Sequence, residues 1–383
     1  MSAFVTAADL SLEAFAALCE QRTRAEDFPH CSEVTSNVLI YQGTTLLDAS
    51  ADDPQPLLSE LHRAFRQGPG VVVVRQAFTD HALIDRHSEV FNRILADEAQ
   101  GGNGGDHFAK AGANGRIWNS LQKAAVRAPH SFVEYYSNPL LGMLAQAWLG
   151  PHYQVTAQVN VVRPGGQAQQ PHRDYHLGFQ TVEVLEHYPL AVQVMSQYLT
   201  LQGAVAHTDM PLDTGPTQLL PYSQQYDMGF VAWRDPGFID YFQTHAVQLP
   251  LRKGDLLFFN PALFHAAGTN RTPDQHRMAN LLQISSAFGK TMEALDHDRM
   301  MLALYPVLLE RVARQAIDAR SLQAVIATAA PGYSFPTNLD SDPPLKGLAP
   351  LTAQQLLHQA LTEHWPLAEF AQALEQMRLR RQA

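Results

Sequence analysis

The sequence predicts a mainly β core of jelly-roll type with helices added before and after it. Three observations predict this. Between residues 153 and 290 the chain breaks into short apolar runs. Turn formers separate the runs: Pro164-Gly165-Gly166, Asp213-Thr214-Gly215-Pro216 and Lys253-Gly254-Asp255. Many short strands punctuated in this way suggest a sandwich or a barrel-like jelly roll. Before residue 70 and after residue 290 the apolar residues return at helical spacing instead.

In order along the chain, residues 8–22 place Leu10, Phe15, Leu18 and Cys19 on one helical stripe. A second helix over 57–67 stops at Gly68-Pro69-Gly70, a strong breaker. The run V-V-V-V-R from Val71 reads as a short buried strand. A helix follows over 79–98, with a cap at Thr79-Asp80. Residues 101–115 are rich in Gly and Asn and predict a loop, either a connector or a lid over a pocket. Residues 140–149 form a short apolar helix closed by Gly150-Pro151. The strand runs are 153–163, 182–186, 193–201, 216–221, 246–250, 255–259 and 277–286. Helical patterns then cover 291–327 and 351–381, with a proline-rich connector between them. The expected organisation is an N-terminal helical segment (1–69), a core (70–290) and a C-terminal helical extension (291–383).

Composition bounds the function. The 383 residues are 46% hydrophobic and 17% charged, enough apolar mass for a sizeable core. A net charge of -10 argues against nucleic acid as the main partner, because phosphate binding draws on clustered Lys and Arg. Two cysteines, Cys19 and Cys31, are too few for a disulfide framework and fit a reducing, cytoplasmic setting. The N-terminus lacks the basic and apolar regions of a signal peptide, and no apolar run approaches a membrane span.

The segment P-H-R-D-Y-H carries the chemistry. His172 and Asp174 are two residues apart, which on a strand puts both side chains on one face. An imidazole and a carboxylate aimed at one point are two thirds of the facial triad that holds non-haem Fe(II). His265, after the apolar run D-L-L-F-F-N-P, can supply the third ligand. An H-x-D match alone is weak: with 17 histidines, roughly one is expected by accident. There is a second, His207 with Asp209. It lies where a strand runs into the turn M-P-L-D-T-G-P, where Asp209 is better read as organising the turn. A late strand carrying His265 beside an early one carrying the pair is what a jelly-roll mouth supplies.

A 2-oxoglutarate cosubstrate would also need a cation for its distal carboxylate, ideally a planar fork. Arg277 opens the apolar strand R-M-A-N-L-L-Q-I-S-S, an unusual place for an Arg unless it pairs with an anion. Its rival, Arg271, sits in the polar turn T-N-R-T-P-D and reads as a surface residue.

With His172, Asp174, His265 and Arg277 in this order, residues 70–286 resemble the phytanoyl-CoA dioxygenase-like family of Fe(II)/2-oxoglutarate oxygenases. Thr208, Asp209, Gly215, Pro216, Pro221 and Ser223 fit the family's T-D, G-P, P-G-S-H element. The H-x-S-x-x-N element appears as His265-Ala266-Ala267-Gly268-Thr269-Asn270. Tyr222 and Gln224 depart from the Gly and His of P-G-S-H. Ala267 replaces a small hydroxyl, so one bond to the cosubstrate is lost or comes from Thr269. The resemblance implies a double-stranded β-helix (cupin-like) core, Fe(II), 2-oxoglutarate and O2, and hydroxylation with release of succinate and CO2. It also implies a polar strand residue that touches the cosubstrate, for which Gln158 and Asn160 both qualify. The long C-terminal extension suggests a homodimer contact or an extra wall of the substrate pocket.

The substrate is expected to be a small or medium metabolite. Tyr175, His176 and Phe179 follow the metal pair, and His107, Arg116, Trp118 and Asn119 follow or lie in the glycine-rich loop; these are the pocket candidates. Two other readings use the same residues: a cupin-like hydrolase or isomerase with zinc or manganese, and a non-catalytic jelly-roll binding protein. The first leaves Arg277 without a purpose, and the intact ligand set argues against the second.

Overall fold

Strand alternation sorts the side chains into an inside and an outside, and that sorting builds the site. In the computed structural model, which describes residues 3–101, 114–345 and 347–382, the strands form two sheets. The strands are β1 (Glu33–Thr35), β2 (Val38–Gln42), β3 (Val71–Arg75), β4 (Asn114–Ile117), β5 (Gln154–Val162), β6 (Thr200–Ala206), β7 (Gln218–Leu219), β8 (Leu256–Phe259), β9 (His265–Ala266) and β10 (Arg277–Ser285). The large sheet runs β1-β2-β3-β8-β6-β10-β5-β4. Its pairs are antiparallel except β2 with β3. The small sheet is β7 with β9, extended by single bridges from His172 to His265 and from Leu219 to Val247. Four chain segments thus line up as 172, 265, 219 and 247 and close the second layer. This is the jelly-roll, double-stranded β-helix core.

On the large sheet, Leu39, Tyr41, Val72, Val74, Leu256, Phe258, Leu201 and Val205 face outward into the main core. On β5 and β10 the outward set is Val155, Ala157, Val159, Met278, Leu282 and Ile284. Helices cover this face. Gln55–Arg66 packs on Pro139–Leu149, and His81–Gln100 on Pro129–Tyr136. The C-terminal helix His297–Ala313 packs on Ser120–Arg127 and Pro129–Tyr136, and Ala319–Ala329 on Pro139–Leu149. The alternate residues face inward. At the β2-β3-β8 end they are apolar: Val38, Ile40, Val71, Val73, Leu257 and Phe259 meet Leu219, Leu249, Leu251 and Leu263. At the β6-β10-β5 end they include the polar Gln202, Gln158 and Asn160.

Several segments differ from the sequence expectation. Residues 182–186 form a helix, Val182–Leu185, rather than a strand. Most of 193–201 is also helical: Leu190–Ser196 follows Pro189, and the strand starts only at Thr200. The β-branched residues there mislead. The Gln193 amide donates to the Leu185 and Tyr188 carbonyls and welds the two short helices together. The N-terminal segment, expected to be helical, also contributes β1 and β2. The segment 246–250 gives only the Val247 bridge. The C-terminal pattern divides into four helices. Asp318 caps Ala319–Ala329 by accepting from Ser321 N, and Pro366 precedes Leu367–Arg381. Asp80 caps His81–Gln100 as expected, accepting from Leu83 N. Residues 102–113, with His107 and most of the expected lid, lie outside the described residues. Among the described residues no helix is long and apolar enough to cross a membrane.

Candidate metal centre

The bridge between His172 and His265 is the mechanical basis of the centre. His172 N donates to His265 O at 3.0 Å and His265 N to His172 O at 3.2 Å, so the two imidazoles leave adjacent strands on the same side. Their ring centroids are 4.4 Å apart. Asp174, two residues on, points to the same place. Its Oδ1 lies 3.5 Å from His172 Nε2 and its Oδ2 3.3 Å from His265 Nε2. The three donor atoms all lie within 4.8 Å of one another.

The tautomers are set from behind. His172 Nδ1 is 2.8 Å from the Gln170 carbonyl, and His265 Nδ1 is 2.8 Å from the Leu263 carbonyl. A carbonyl only accepts, so each Nδ1 carries the proton and each Nε2 lone pair faces Asp174. Gln202, on the inner face of β6, donates to Asp174 Oδ2 at 2.5 Å. Burial opposes ionisation of Asp174, but the positive charge that His172 and His265 carry whenever an Nε2 is protonated, together with the Gln202 amide, outweighs it and holds the carboxyl below the ordinary range. Two imidazole nitrogens and one carboxylate are a donor set suited to Fe(II).

Arg173 lies between the two ligands in sequence and points the opposite way. It donates through Nη2 to the carbonyls of Ser223 and Tyr226, at 2.7 and 2.8 Å. Its guanidinium sits between the Phe230 and Phe264 rings, 5.3 Å from each centroid. Burial lowers its pKa to about 9, still protonated at neutral pH. On the other strand Ser223 Oγ accepts from Phe264 N at 2.8 Å and so fixes the residue before His265. Asn270 ties the following turn: its amide donates to the Gln275 carbonyl and accepts from Thr272. That turn delivers Arg277 to the start of β10.

Arg277 is buried, 7% exposed, and burial pushes it down to about 10. No carboxylate pairs with it among the described residues. Arg271 is exposed, as expected. Gln158 and Asn160 both fall on the inner face of β5, because their neighbours Ala157 and Val159 face the outer core. Gln158 Oε1 accepts from Arg116 Nη1 at 3.0 Å, whereas Asn160 Oδ1 is buried without a partner. Thr269 Oγ1 accepts from Ala168 N at 3.0 Å and supports the approach to His172.

The pocket candidates divide. Tyr175 is buried with an unpartnered hydroxyl, and both it and His176 have positive φ, 63° and 42°. Such backbone is strained for non-glycine residues and concentrates at functional sites. Phe179 is 53% exposed, a surface residue rather than a buried one. Trp118 lies beneath the Arg116 guanidinium at 4.9 Å. Asn119 donates its backbone N–H to Glu293 Oε1 at 2.6 Å. Glu293, in the segment after β10, has no counterpart in the motif reading. Burial raises its carboxyl to about 7 against the Asn119 and Gln158 bonds that oppose the rise. Trp233, 6.5 Å from the His172 ring, and Gln202 also carry no motif signal. His207 is elsewhere: it is buried behind the sheet between Ser88 and Tyr135. Asp209 accepts from Lys253 N at 2.9 Å and organises that turn.

The family model for phytanoyl-CoA dioxygenase matches residues 67–279, more than half of the chain. The chain belongs to the phytanoyl-CoA dioxygenase family. This family uses Fe(II), 2-oxoglutarate and O2. The dioxygenase cdmD of Talaromyces verruculosus is 30% identical over 148 residues, covering 39% of this chain. The match spans 44% of that protein's length. Similar solved structures include SnoN, a non-haem α-ketoglutarate-dependent epimerase from nogalamycin biosynthesis. It is 18% identical over 61% of this chain and 84% of its own, with a TM-score of 0.42. HygX from Streptomyces hygroscopicus, with nickel and 2-oxoglutarate bound, is 14% identical over 60% of this chain and 87% of its own, TM-score 0.42.

The match includes His172, Asp174, His265 and Arg277 and ends before Glu293. The two departures in P-G-S-H have structural substitutes. Tyr222 stands at φ 69°, where glycine is at ease, and its hydroxyl is held 2.9 Å from Thr23 Oγ1. The Gln224 amide donates to the Gly68 carbonyl at 2.9 Å and packs against Gly70, joining this turn to the start of β3.

Proposed function

We propose that this chain is an Fe(II)/2-oxoglutarate-dependent dioxygenase that hydroxylates a small or medium metabolite, releasing succinate and CO2. The observation that carries the reading is the convergence of His172, Asp174 and His265, together with a buried arginine at the start of β10, Arg277, that has no carboxylate partner among the described residues. A hydrolase or isomerase has no use for that second feature, and the intact ligand set argues against a bare binding protein. Bound iron and 2-oxoglutarate supply the oxidising chemistry with O2.

The chain's own residues supply the rest. His172 and His265 present Nε2 because the Gln170 and Leu263 carbonyls hold Nδ1–H. Asp174 stays ionised, steered by Gln202. Arg277 would hold the distal carboxylate of the cosubstrate, for which its guanidinium offers paired donors. Gln158 and Asn160 are both placed to meet the cosubstrate, each with a side-chain amide that can donate to a carboxylate. Thr269 keeps its own O–H donor for the same purpose. Tyr175, His176, Trp118 and Trp233 wall the substrate space and exclude water, with Phe179 at its rim. The unpaired thiols Cys19 and Cys31 support a cytoplasmic setting. Exposed Phe335, Leu345 and Leu348 support a homodimer through the C-terminal region, which light scattering would test.

Wild-type protein should form succinate from 2-oxoglutarate only with Fe(II), and Asp174→Ala should abolish it. Undiminished succinate formation in that variant rejects the ligand assignment. Arg277→Ala should raise the KM for 2-oxoglutarate by about tenfold to a hundredfold, the worth of a charged hydrogen-bonded pair, with Fe(II) affinity unchanged.

A further inference from the structure

Trp233 and Arg234 lie in the segment between β7 and β8, on the His172 side of the centre. The Trp233 ring stands edge-on to the His172 ring at 6.5 Å. The Arg234 guanidinium stacks on the Trp233 ring, 3.7 Å from its centroid. It reaches further, donating through Nη2 to the Gly178 carbonyl at 3.2 Å. Gly178 belongs to the short turn His176–Phe179 that follows Asp174 and Tyr175. The pair therefore spans the gap from the His172 imidazole to the segment just beyond Asp174, along the wall of the substrate space.

Two donors in this wall are unspent. Trp233 Nε1 and Arg234 Nη1 are both buried and have no hydrogen-bond partner. An indole N–H and a guanidinium can only donate, so neither is satisfied by another donor. Such groups in native proteins call for an occupant. Arg234 also lacks an ion pair among the described residues; Glu183 acts on it only through space, while burial lowers its pKa. The cosubstrate does not need it, because its distal carboxylate has Arg277. In a chain of net charge -10, a guanidinium with no ion pair among the described residues is a local site for an anion.

We infer that Trp233 and Arg234 bind an oxyanion of the substrate, a carboxylate or a phosphate, and so place the carbon to be oxidised beside the metal. The stacked indole holds the guanidinium plane, and the two N–H groups offer adjacent donors to one anionic group. This rests on the oxygenase reading for the identity of the neighbouring centre, and names the substrate class that reading leaves open.

The test uses the full chain loaded anaerobically with Fe(II) and saturating 2-oxoglutarate, so that Arg277 is occupied. Hexanoate, hexyl phosphate and hexanol share one apolar chain and differ in the head group. Calorimetry should show one of the anions binding about tenfold or more tighter than hexanol, the worth of hydrogen bonds to a charged group. Which anion wins distinguishes carboxylate from phosphate. Arg234→Gln should bring that anion down to the level of hexanol. Trp233→Phe, which keeps the ring and removes only the N–H, should lower anion affinity several-fold and leave hexanol unchanged. Equal binding of all three by the wild type overturns the inference. So does an anion preference that survives Arg234→Gln, or an anion that competes with 2-oxoglutarate. A wild type that binds anions through Arg234 yet forms no succinate sinks the oxygenase reading alone. Succinate formation without anion preference sinks only the inference.

Discussion

Acid should weaken this fold through His207, and the size of the effect follows from where that ring is buried. His207 is 2% exposed, behind the sheet rather than in front of it. Its Nδ1 is 2.8 Å from Ser88 Oγ and its Nε2 2.8 Å from the Tyr135 hydroxyl. Asn280 in turn donates to the Tyr135 and Tyr136 hydroxyls, at 3.2 and 3.0 Å. The network satisfies a neutral imidazole and offers a charged one no carboxylate in contact. Burial drives the pKa from 6.5 to about 3. The folded state therefore stays unprotonated while the unfolded chain takes up a proton below 6.5. Stability is fully present above that value and falls as pH drops toward 3. Each unit costs about 1.4 kcal/mol, so from pH 7 to 5 the loss is about 2 kcal/mol. Neighbouring His87, buried and also shifted well down, adds to the same trend. Glu293 opposes it. Its raised carboxyl is neutral in the fold up to about 7 but ionises above 4.5 in the unfolded chain, so that stability is lost as pH rises. The comparison must cancel both. Urea unfolding of the wild type and His207→Gln at pH 7, 6 and 5 does so. The wild type's advantage over the variant should shrink by about 2 kcal/mol between pH 7 and 5. A gap independent of pH refutes the reasoning.

Three further outcomes follow from the site. Gln202→Leu removes the amide that holds Asp174 Oδ2, and Fe(II) titration should show affinity about 10-fold to 100-fold weaker; unaltered affinity would mean Asp174 is positioned without it. Gly229→Ala would put a Cβ 1.9 Å from the Arg173 guanidinium carbon. Arg173 would have to leave the Ser223 and Tyr226 carbonyls, at a cost of about 3 kcal/mol or more in denaturant unfolding; a neutral result would show that the guanidinium has room to move. Glu293→Gln removes the ionisation penalty, so the variant should gain on the wild type by up to about 3 kcal/mol between pH 5 and 8. No change in their difference over that range would show that the carboxyl titrates normally.

The parts of the site legible in the sequence are those that chemistry ties to a residue type and an offset. His172 and Asp174 are two apart because a strand must aim both one way, and Arg277 stands out because an arginine opens an apolar strand. β5 and β10 are legible because nine residues of alternation leave little doubt. The short elements fail for the opposite reason. Val182–Leu185 is too brief for periodicity to separate strand from helix, and its helical state depends on Gln193 reaching back from the next helix. β1 is three residues long and draws its definition from β2. Gln202, Trp233, Arg234 and Glu293 form no motif. Gln202 at least interrupts the apolar strand T-L-Q-G-A-V-A, a signal that an inward position is polar. Glu293 offers none, since its meaning comes from Asn119 across 174 positions of sequence.

The way Arg173 is anchored has a consequence for how such an enzyme diversifies. Its side chain fastens the segment that bears His172 and Asp174 from the rear, to the Ser223 and Tyr226 carbonyls and the Phe230 and Phe264 rings. Mutations around Trp233, Phe179 or Glu293 can thus accumulate without loosening His172 and Asp174. Under the proposed function, descendants of this chain can trade one substrate for another while inheriting the same three ligands in place.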